Sequence, residues 1–326
     1  MFARRPARPI ESSSAIAANA LQGGHKIRAC LALIFFCVAA WILPTISGPI
    51  AGTMLHAWRA AGLPLPAYVA GEIPVYGLIA GTFAFALCIV AVTLIAARIA
   101  GRSLSDFRLR PLALRPVLIG LLGGVIAISI VMAGLLITHS ARVSYAGLAG
   151  KEALGYALAW MFGMFCVGIA EELCYRGAPL ALLSELTHPI LACDLTAVWF
   201  AYAHTGNAFE NPLGLIQVAL FGFVAALSVI RTGSVLWAIG FHAGWDWMLE
   251  SVYGAVGSGL RFHGSLFITT GTGPRWLTGG DAGPEGSLFS WLVLIVIGGY
   301  FLMRRPDRAS VATTALDGRG AGIALP

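Results

Sequence analysis

Long apolar stretches, separated by short segments that hold most of the charged residues, dominate the sequence. Crossing the hydrocarbon core of a bilayer takes about 20 residues of helix, and eight of these stretches reach or approach that length. We therefore predict an all-α fold, a polytopic transmembrane helical bundle of about eight spans. The predicted spans cover about 27–46, 74–97, 117–138, 153–186, 189–204, 213–230, 235–252 and 288–303.

The composition agrees with a membrane protein and excludes an ordinary soluble domain. Hydrophobic residues make up 58% of the chain and charged residues 11%, and the mean hydropathy is +0.82. The formal net charge of +6 does not indicate nucleic-acid binding, because the arginines lie mainly in short loops and at the chain ends. The six cysteines lie in or beside apolar stretches, so we expect free thiols rather than a disulfide framework or a metal site.

Basic residues cluster ahead of the first span, between the second and third spans, and after the last span. With eight spans all three clusters fall on one side, which the positive-inside rule identifies as the cytoplasm. The polar or low-complexity segments at the two ends are predicted to be disordered and cytoplasmic. The predicted units are the N-terminal segment 1–26, three spans in 27–138, a core at 152–253, an extracytoplasmic loop at 254–285, the last span in 286–303 and the tail 304–326.

Two spans carry glycines at the spacing that allows helices to approach closely. Gly77 and Gly81 lie in the second span, and Gly120 and Gly124 lie in the third. Small residues four apart form one smooth strip along a helix in lipid. We therefore predict close helix contacts at both pairs.

The fourth span contains the segment Glu171-Glu172-Leu173-Cys174-Tyr175-Arg176. A charge at membrane depth costs about 3 kcal/mol or more, so such residues usually face a cavity and mark function. Glu172 and Arg176 are four apart, share a helix face and are predicted to pair. Glu171 has no such partner nearby, and an unpaired buried carboxylate suits proton transfer near neutral pH. Cys174 is a weaker candidate nucleophile, because no histidine lies close to it in sequence.

Apolar character resumes after Gly177 and continues to about residue 186, which predicts that the fourth helix extends past a kink or break at Gly177 and Pro179. That extension places Glu171 about 15 Å deeper, at the level of the polar residues of later spans. Without it, Glu171 would lie near the cytoplasmic surface.

Two later spans carry polar pairs at helical spacing. Phe200 and His204 end the fifth span, and His242 and Asp246 lie inside the seventh. Residues at i and i+4 lie on one helix face, so each pair can face one cavity. Such groups can also be satisfied polar residues that hold helices together. Their concentration on three helices, while the first three spans carry almost no charge, favours a functional site.

These three elements, in this order, resemble the CAAX-protease and bacteriocin-processing family of intramembrane proteases, which includes the type II CAAX prenyl proteases. Tyr175 before the arginine and Gly177 after it add to the resemblance, which covers about residues 155–250. The resemblance implies an endopeptidase acting on a membrane-associated substrate, prenylated or of leader type. It also implies an integral protein of the bacterial inner (plasma) membrane.

The resemblance implies a role for each motif residue. Glu171 would activate the hydrolytic water with help from His204, and His242 and Asp246 would stabilise the oxyanion. Supporting roles would fall to a second set of residues, namely Glu172, Arg176 and Phe200.

One position departs from the prenyl proteases, which have asparagine where this chain has Asp246. An ionised aspartate cannot donate a hydrogen bond to an oxyanion. It could orient His242, or donate if protonated.

Several alternatives stay open. Glu171, His204 and His242 could bind zinc and leave a position for water, although no His-Glu-x-x-His element is present. We expect no cofactor, with zinc as the alternative, and we expect membrane lipid and a peptide or protein substrate as partners, but no nucleic acid.

A proton-coupled transporter would use the same residue types but predicts inverted repeats, which the sequence does not show. A non-catalytic membrane scaffold or immunity protein could retain every motif.

The predicted topology can be tested with reporter fusions. Reporters at residue 1, in the 98–115 loop and at residue 310 should report the cytoplasm, and a reporter in 254–285 should report the opposite side. Termini on opposite sides of the membrane would contradict the eight-span prediction.

Overall fold

The computed structural model describes residues 13–62, 69–109 and 111–305, with side chains from residue 23 onward. Helices dominate this part of the chain, as predicted. They are α1 (Ser13–Ala60), α2 (Val75–Ala100), α3 (Leu114–Ile137), α4 (Gly150–Arg176), α5 (Ala178–Leu186), α6 (Pro189–His204), α7 (Pro212–Thr232), α8 (Leu236–Asp246), α9 (Arg275–Thr278) and α10 (Leu288–Met303).

The protein is a helical membrane bundle. Within the described residues, six helical segments are long and apolar enough to cross a bilayer. They are 23–60, 75–100, 114–137, 150–186, 212–232 and 280–303. The other two predicted spans correspond to the shorter helix α6, with 16 residues, and to α8, which the π-helical turn Trp247–Val252 extends.

Helix α4 ends in a backbone break at Gly177, as predicted. The φ and ψ angles of Gly177 are −79° and −117°, which lie outside the helical region. A Cβ atom there would lie 2.6 Å from the carbonyl oxygen of Leu173, so a side chain would force the backbone to shift. Pro179, in the first turn of α5, suits a helix start because it needs no amide donor there. The polar motif therefore lies in the last turns of α4, directly before the break.

The predicted loop 254–285 contains regular structure that the sequence did not indicate. Strand β2 (Phe267–Gly271) pairs antiparallel with β1 (Ala141–Tyr145), which lies between α3 and α4. Helix α9 and the 3₁₀ segment Gly280–Gly286 follow. Strands of five residues are too short for a clear alternating pattern, and their pairing joins segments far apart in sequence.

Only part of the two chain ends, for which we predicted disorder, lies within the described residues. Helix α1 begins at Ser13, so 13–26, for which we predicted disorder, is helical. The preceding residues 1–12 and the tail from residue 306 onward lie outside the described residues.

The connecting segments fall into two groups by the contacts they make with one another. A chain that crosses a membrane repeatedly places successive connections on alternate sides, which gives two such groups. In one group, Arg102 between α2 and α3 forms an ion pair with Glu185 near the end of α5, at 2.8 Å. In the other, Nδ1 of His263 lies 2.8 Å from the carboxylate of Glu72, and β1 pairs with β2. Eight crossings place the members of each group on the same side, and so do six crossings by the long helical segments alone, so these contacts agree with both numbers.

Glycines on both helices form the contact between α3 and α8. A Cβ atom at Gly120 or Gly124 would overlap the α8 backbone, at the carbonyls of Trp237 and Phe241 respectively. On α8, a Cβ atom at Gly240 would overlap the carbonyl of Val117, and Gly244 meets α3 in the same way. The two backbones therefore touch directly, which confirms the close contact predicted at Gly120 and Gly124.

The corresponding prediction for Gly77 and Gly81 is wrong. A Cβ atom at Gly81 would meet nothing within 4 Å, and one at Gly77 would meet only Pro74 at the start of its own helix. Helix α2 instead buries Ala80 and Ala84. The spacing of small residues identifies a possible strip but not the face that a neighbour covers.

We expect Gly124→Ala to destabilise the protein, because its new methyl group overlaps the α8 backbone. Overpacking of this kind costs about 1–3 kcal/mol. The matched control Gly81→Ala adds the same methyl group to open space, where alanine favours a helix by up to about 1 kcal/mol. Thermal unfolding in detergent measures both, and equal midpoints for the two variants would contradict the proposed contact.

Candidate active site

The carboxylate of Glu172 lies at the centre of the polar cluster and is fully buried. Its Oε1 accepts a hydrogen bond from Nη1 of Arg176 at 3.1 Å and lies 2.8 Å from Nδ1 of His242. The pairing of Glu172 with Arg176 is the one that their spacing predicts. The sequence did not predict that Glu172 also binds His242, which links α4 to α8.

Helix α4 meets α8 one turn before the motif, at Gly168. A Cβ atom at Gly168 would lie 3.0 Å from the carbonyl oxygen of Ile239 and 3.7 Å from Cβ of His242. This close approach brings the carboxylates of α4 within reach of the imidazole. On α8, Gly240 and Gly244 occupy the face toward α3, so His242 and Asp246 point toward the polar cluster.

The second nitrogen of His242 faces two further carboxylates. Its Nε2 lies 3.6 Å from Oε2 of Glu171 and 3.4 Å from Oδ2 of Asp246. Because Nδ1 donates to Glu172, Nε2 can donate a second hydrogen bond when the ring is doubly protonated. The structure therefore gathers three predicted site residues around the imidazole of His242: Glu171, Glu172 and Asp246.

Adjacent glutamates differ in exposure. The side chain of Glu171 is 30% exposed, whereas that of Glu172 is 0% exposed. Successive helix residues point about 100° apart, so one carboxylate faces the interior and the other an accessible space. Of the two motif carboxylates, Glu171 is thus the one that is partly exposed.

Phe200 and His204 lie on the other side of the cluster. Nδ1 of His204 donates to the carbonyl oxygen of Phe200 at 2.8 Å, which leaves Nε2 free to accept a proton. The ring of Phe200 contacts the imidazoles of His204 and His242, with centroids 4.6 and 6.1 Å away. The guanidinium of Arg176 lies 4.1 Å from the same ring centroid. Within the described part of the chain, no hydrogen bond or ion pair joins His204 directly to Glu171.

No group of three His, Cys, Asp or Glu side chains among the described residues is placed to hold a metal ion. The alternative zinc set of Glu171, His204 and His242 is therefore not assembled as ligands in this structure.

Several polar residues beside the site were not predicted from the sequence. A small cavity, about 10 Å³ in volume, is bounded by His242 and Asp246 together with Gln217, Ser258 and Glu285. The carboxylate of Glu285 accepts hydrogen bonds from Nε1 of Trp245, at 2.9 Å, and from the amide of Ser258. Gln217 was detectable as a lone amide in an apolar span, but no sequence signal ties the 258–285 segment to α8.

Glu210, in the turn between α6 and α7, adds a further carboxylate near this end of the site. Burial raises the pKa of the Glu210 carboxyl above its usual range, and the charge of Glu285 adds to the rise. The amide of Asn211 donates to Oε1 of Glu210 and opposes the shift. Carboxylates therefore crowd the side of the site that faces the 254–285 segment.

Comparison with known protein families gives a match over residues 153–248, to the family described as type II CAAX prenyl endopeptidase Rce1-like. The matched segment begins in α4 and ends in the π-helical turn after α8, so it contains every motif residue of the cluster. No curated protein sequence matches the chain significantly.

The buried pair can be tested by removing one charge or both. Arg176→Ala should destabilise the protein by about 3–5 kcal/mol, because it leaves Glu172 buried without its guanidinium. The double variant Glu172→Gln/Arg176→Met removes both charges and should recover most of the loss.

Thermal unfolding measures these changes, with Arg275→Ala as the control, because the ion pair of Arg275 with Asp281 is exposed. We expect no change for the control. A double variant as unstable as Arg176→Ala would show that the loss comes from packing rather than from a stranded charge.

Proposed function

We propose that this chain, which belongs to the CAAX-protease and bacteriocin-processing family of intramembrane proteases, hydrolyses a peptide bond with water activated by Glu171. Its substrate is a membrane-associated peptide or protein. The observation that carries the proposal is the partly exposed carboxylate of Glu171, 3.6 Å from Nε2 of His242 and outside the ion pair of Glu172 with Arg176. It is free to act as a base where a substrate can reach it.

Peptide hydrolysis needs a base for water, stabilisation of the carbonyl oxygen and a proton for the leaving amine. Glu171 removes a proton as the water oxygen bonds to the carbonyl carbon. The electron pair of the C=O bond moves onto oxygen, where the Nε2 proton of His242 stabilises it. When the C–N bond breaks, the proton held by Glu171 passes to the amine nitrogen.

His204 assists through its free nitrogen. Its Nδ1 is committed to the Phe200 carbonyl, so Nε2 is the atom that exchanges a proton with water or the leaving group. No covalent intermediate is needed, because water is the nucleophile.

Glu172 and Arg176 hold the imidazole rather than react. The hydrogen bond from Nδ1 of His242 to Glu172 fixes the ring orientation and directs Nε2 toward Glu171. A charged hydrogen bond in a buried site is strong because the surroundings screen it weakly. Asp246 is placed to orient the same nitrogen, 3.4 Å from its Oδ2.

We expect Glu171→Gln, His204→Ala and His242→Ala each to lower kcat by at least about 100-fold, since each removes a proton-transfer or charge-stabilising group. The triple variant should be no slower than the slowest single one, because residues that act as a unit are not additive. Asp246→Asn should retain part of the activity, since asparagine can still orient or donate.

Comparing membrane-fraction proteomes of the native protein and Glu171→Gln identifies substrates, and cleavage of one of them by purified protein gives the rates. Full cleavage by Glu171→Gln would contradict the proposal. Native protein that cleaves nothing under the same conditions would favour the scaffold or immunity alternative. Loss of activity to phenanthroline, restored by zinc alone, would favour the zinc mechanism.

A further inference from the structure

Gln217 is a buried amide without a hydrogen-bonding partner beside the catalytic residues. It lies in the apolar helix α7, and its side chain is 1% exposed. Within the described residues, neither Oε1 nor Nε2 of Gln217 has a hydrogen-bond partner. An amide buried in this way lowers stability, so its presence needs an explanation.

The amide borders the same small cavity as the reactive imidazole. Gln217 and Phe221 are four residues apart and share one face of α7. The ring of Phe221 contacts the imidazole of His242, with centroids 5.0 Å apart. Both residues line the cavity together with His242 and Asp246. At about 10 Å³ the cavity has room for about one water-sized atom, such as a carbonyl oxygen.

Most other polar groups around this cavity are acceptors or are already engaged. The carboxylate of Glu285 accepts from Trp245 and from the amide of Ser258, and an ionised Asp246 can only accept. His242 donates through Nδ1 to Glu172, which leaves one nitrogen for the site. Nε2 of Gln217 carries two hydrogens, and the amide is neutral at every working pH.

We propose that Gln217 is a further catalytic residue, whose Nε2 donates a hydrogen bond to the carbonyl oxygen of the scissile bond and holds it as negative charge develops. With Nε2 of His242 it forms a two-donor oxyanion site, and Asp246, which lines the same cavity, is the acceptor available to the second amide hydrogen when substrate is bound. This inference rests on the proposed function, because it assigns a donor for the same hydrolysis.

A donor fixed in place before reaction stabilises the oxyanion more than the ground-state carbonyl, so its loss appears in kcat rather than in KM. Gln217→Met keeps the length and helix preference of the side chain but removes both N–H donors. We expect kcat to fall about 100- to 1,000-fold with KM changed less than about threefold.

Rescue separates catalysis from packing. Asp246→Asn brings a new N–H donor to the same cavity, so Gln217→Met/Asp246→Asn should recover at least about tenfold in kcat over Gln217→Met. A structural role for Gln217 would not be rescued in this way. Ser228→Ala is the matched control, because Ser228 is buried on the same helix and its hydroxyl donates to the Ala225 carbonyl, away from the cavity. It should leave kcat unchanged.

The measurements are kcat and KM on a substrate cleaved by the native protein, with Glu171→Gln assayed in parallel. Native kcat for Gln217→Met beside an inactive Glu171→Gln would overturn the Gln217 assignment alone, and active Glu171→Gln would overturn the proposed function. A lowered kcat without rescue would also overturn the assignment. If Gln217→Met does not fold, Gln217→Glu replaces it, since it keeps the size and polarity of the side chain but replaces the NH₂ donor by a carboxylate oxygen.

Discussion

The buried carboxylate of Glu172 is the interaction on which the other site residues depend. A fully buried charge is tolerated only with partners, because the interior cannot replace the water that it loses. Glu172 obtains one partner from its own helix and one from α8, namely Arg176 and His242. The requirement for the second partner determines which side of α8 meets α4, and it leaves Nε2 of the imidazole to face Glu171 and Asp246. The hydrogen bond between Glu172 and His242 thus sets both the position of α8 against α4 and the orientation of the imidazole ring.

The two adjacent glutamates illustrate how one helix supplies both a buried ion pair and an accessible carboxylate. Glu171 and Glu172 have the same chemistry, but 100° of helix rotation gives them different surroundings. One is held in an ion pair, and the other is 30% exposed beside the same imidazole. Phe200 closes the space between the groups, since its ring contacts His204, His242 and Arg176. An aromatic ring can contact a cation and two imidazoles without competing for their protons.

Sequence reasoning predicted those features of the site that depend on local spacing. The pairing of Glu172 with Arg176 and the break at Gly177 follow from a few neighbouring residues. Features that depend on which helices meet were not predictable: the hydrogen bond of Glu172 to His242 joins residues 70 positions apart. The glycine pairs show the same limit, because Gly120 meets a neighbour and Gly81 does not, although their local patterns are alike. Glu285 was missed because a loop carboxylate carries no sign of the tryptophan that will bind it.

The backbone contact between α3 and α8 also restricts how the protein can open. Helices separated by long side chains can part gradually as rotamers change, but Gly124 and Gly244 leave no side chain between the two backbones to rearrange. These helices therefore form a rigid wall behind the imidazole. On the opposite side of α8, the buried rings of Phe200 and Phe221 stack with their centroids 6.4 Å apart. A change in the space around the imidazole therefore has to come from residues on that side, such as Phe200 and Phe221, rather than from a separation of α3 and α8.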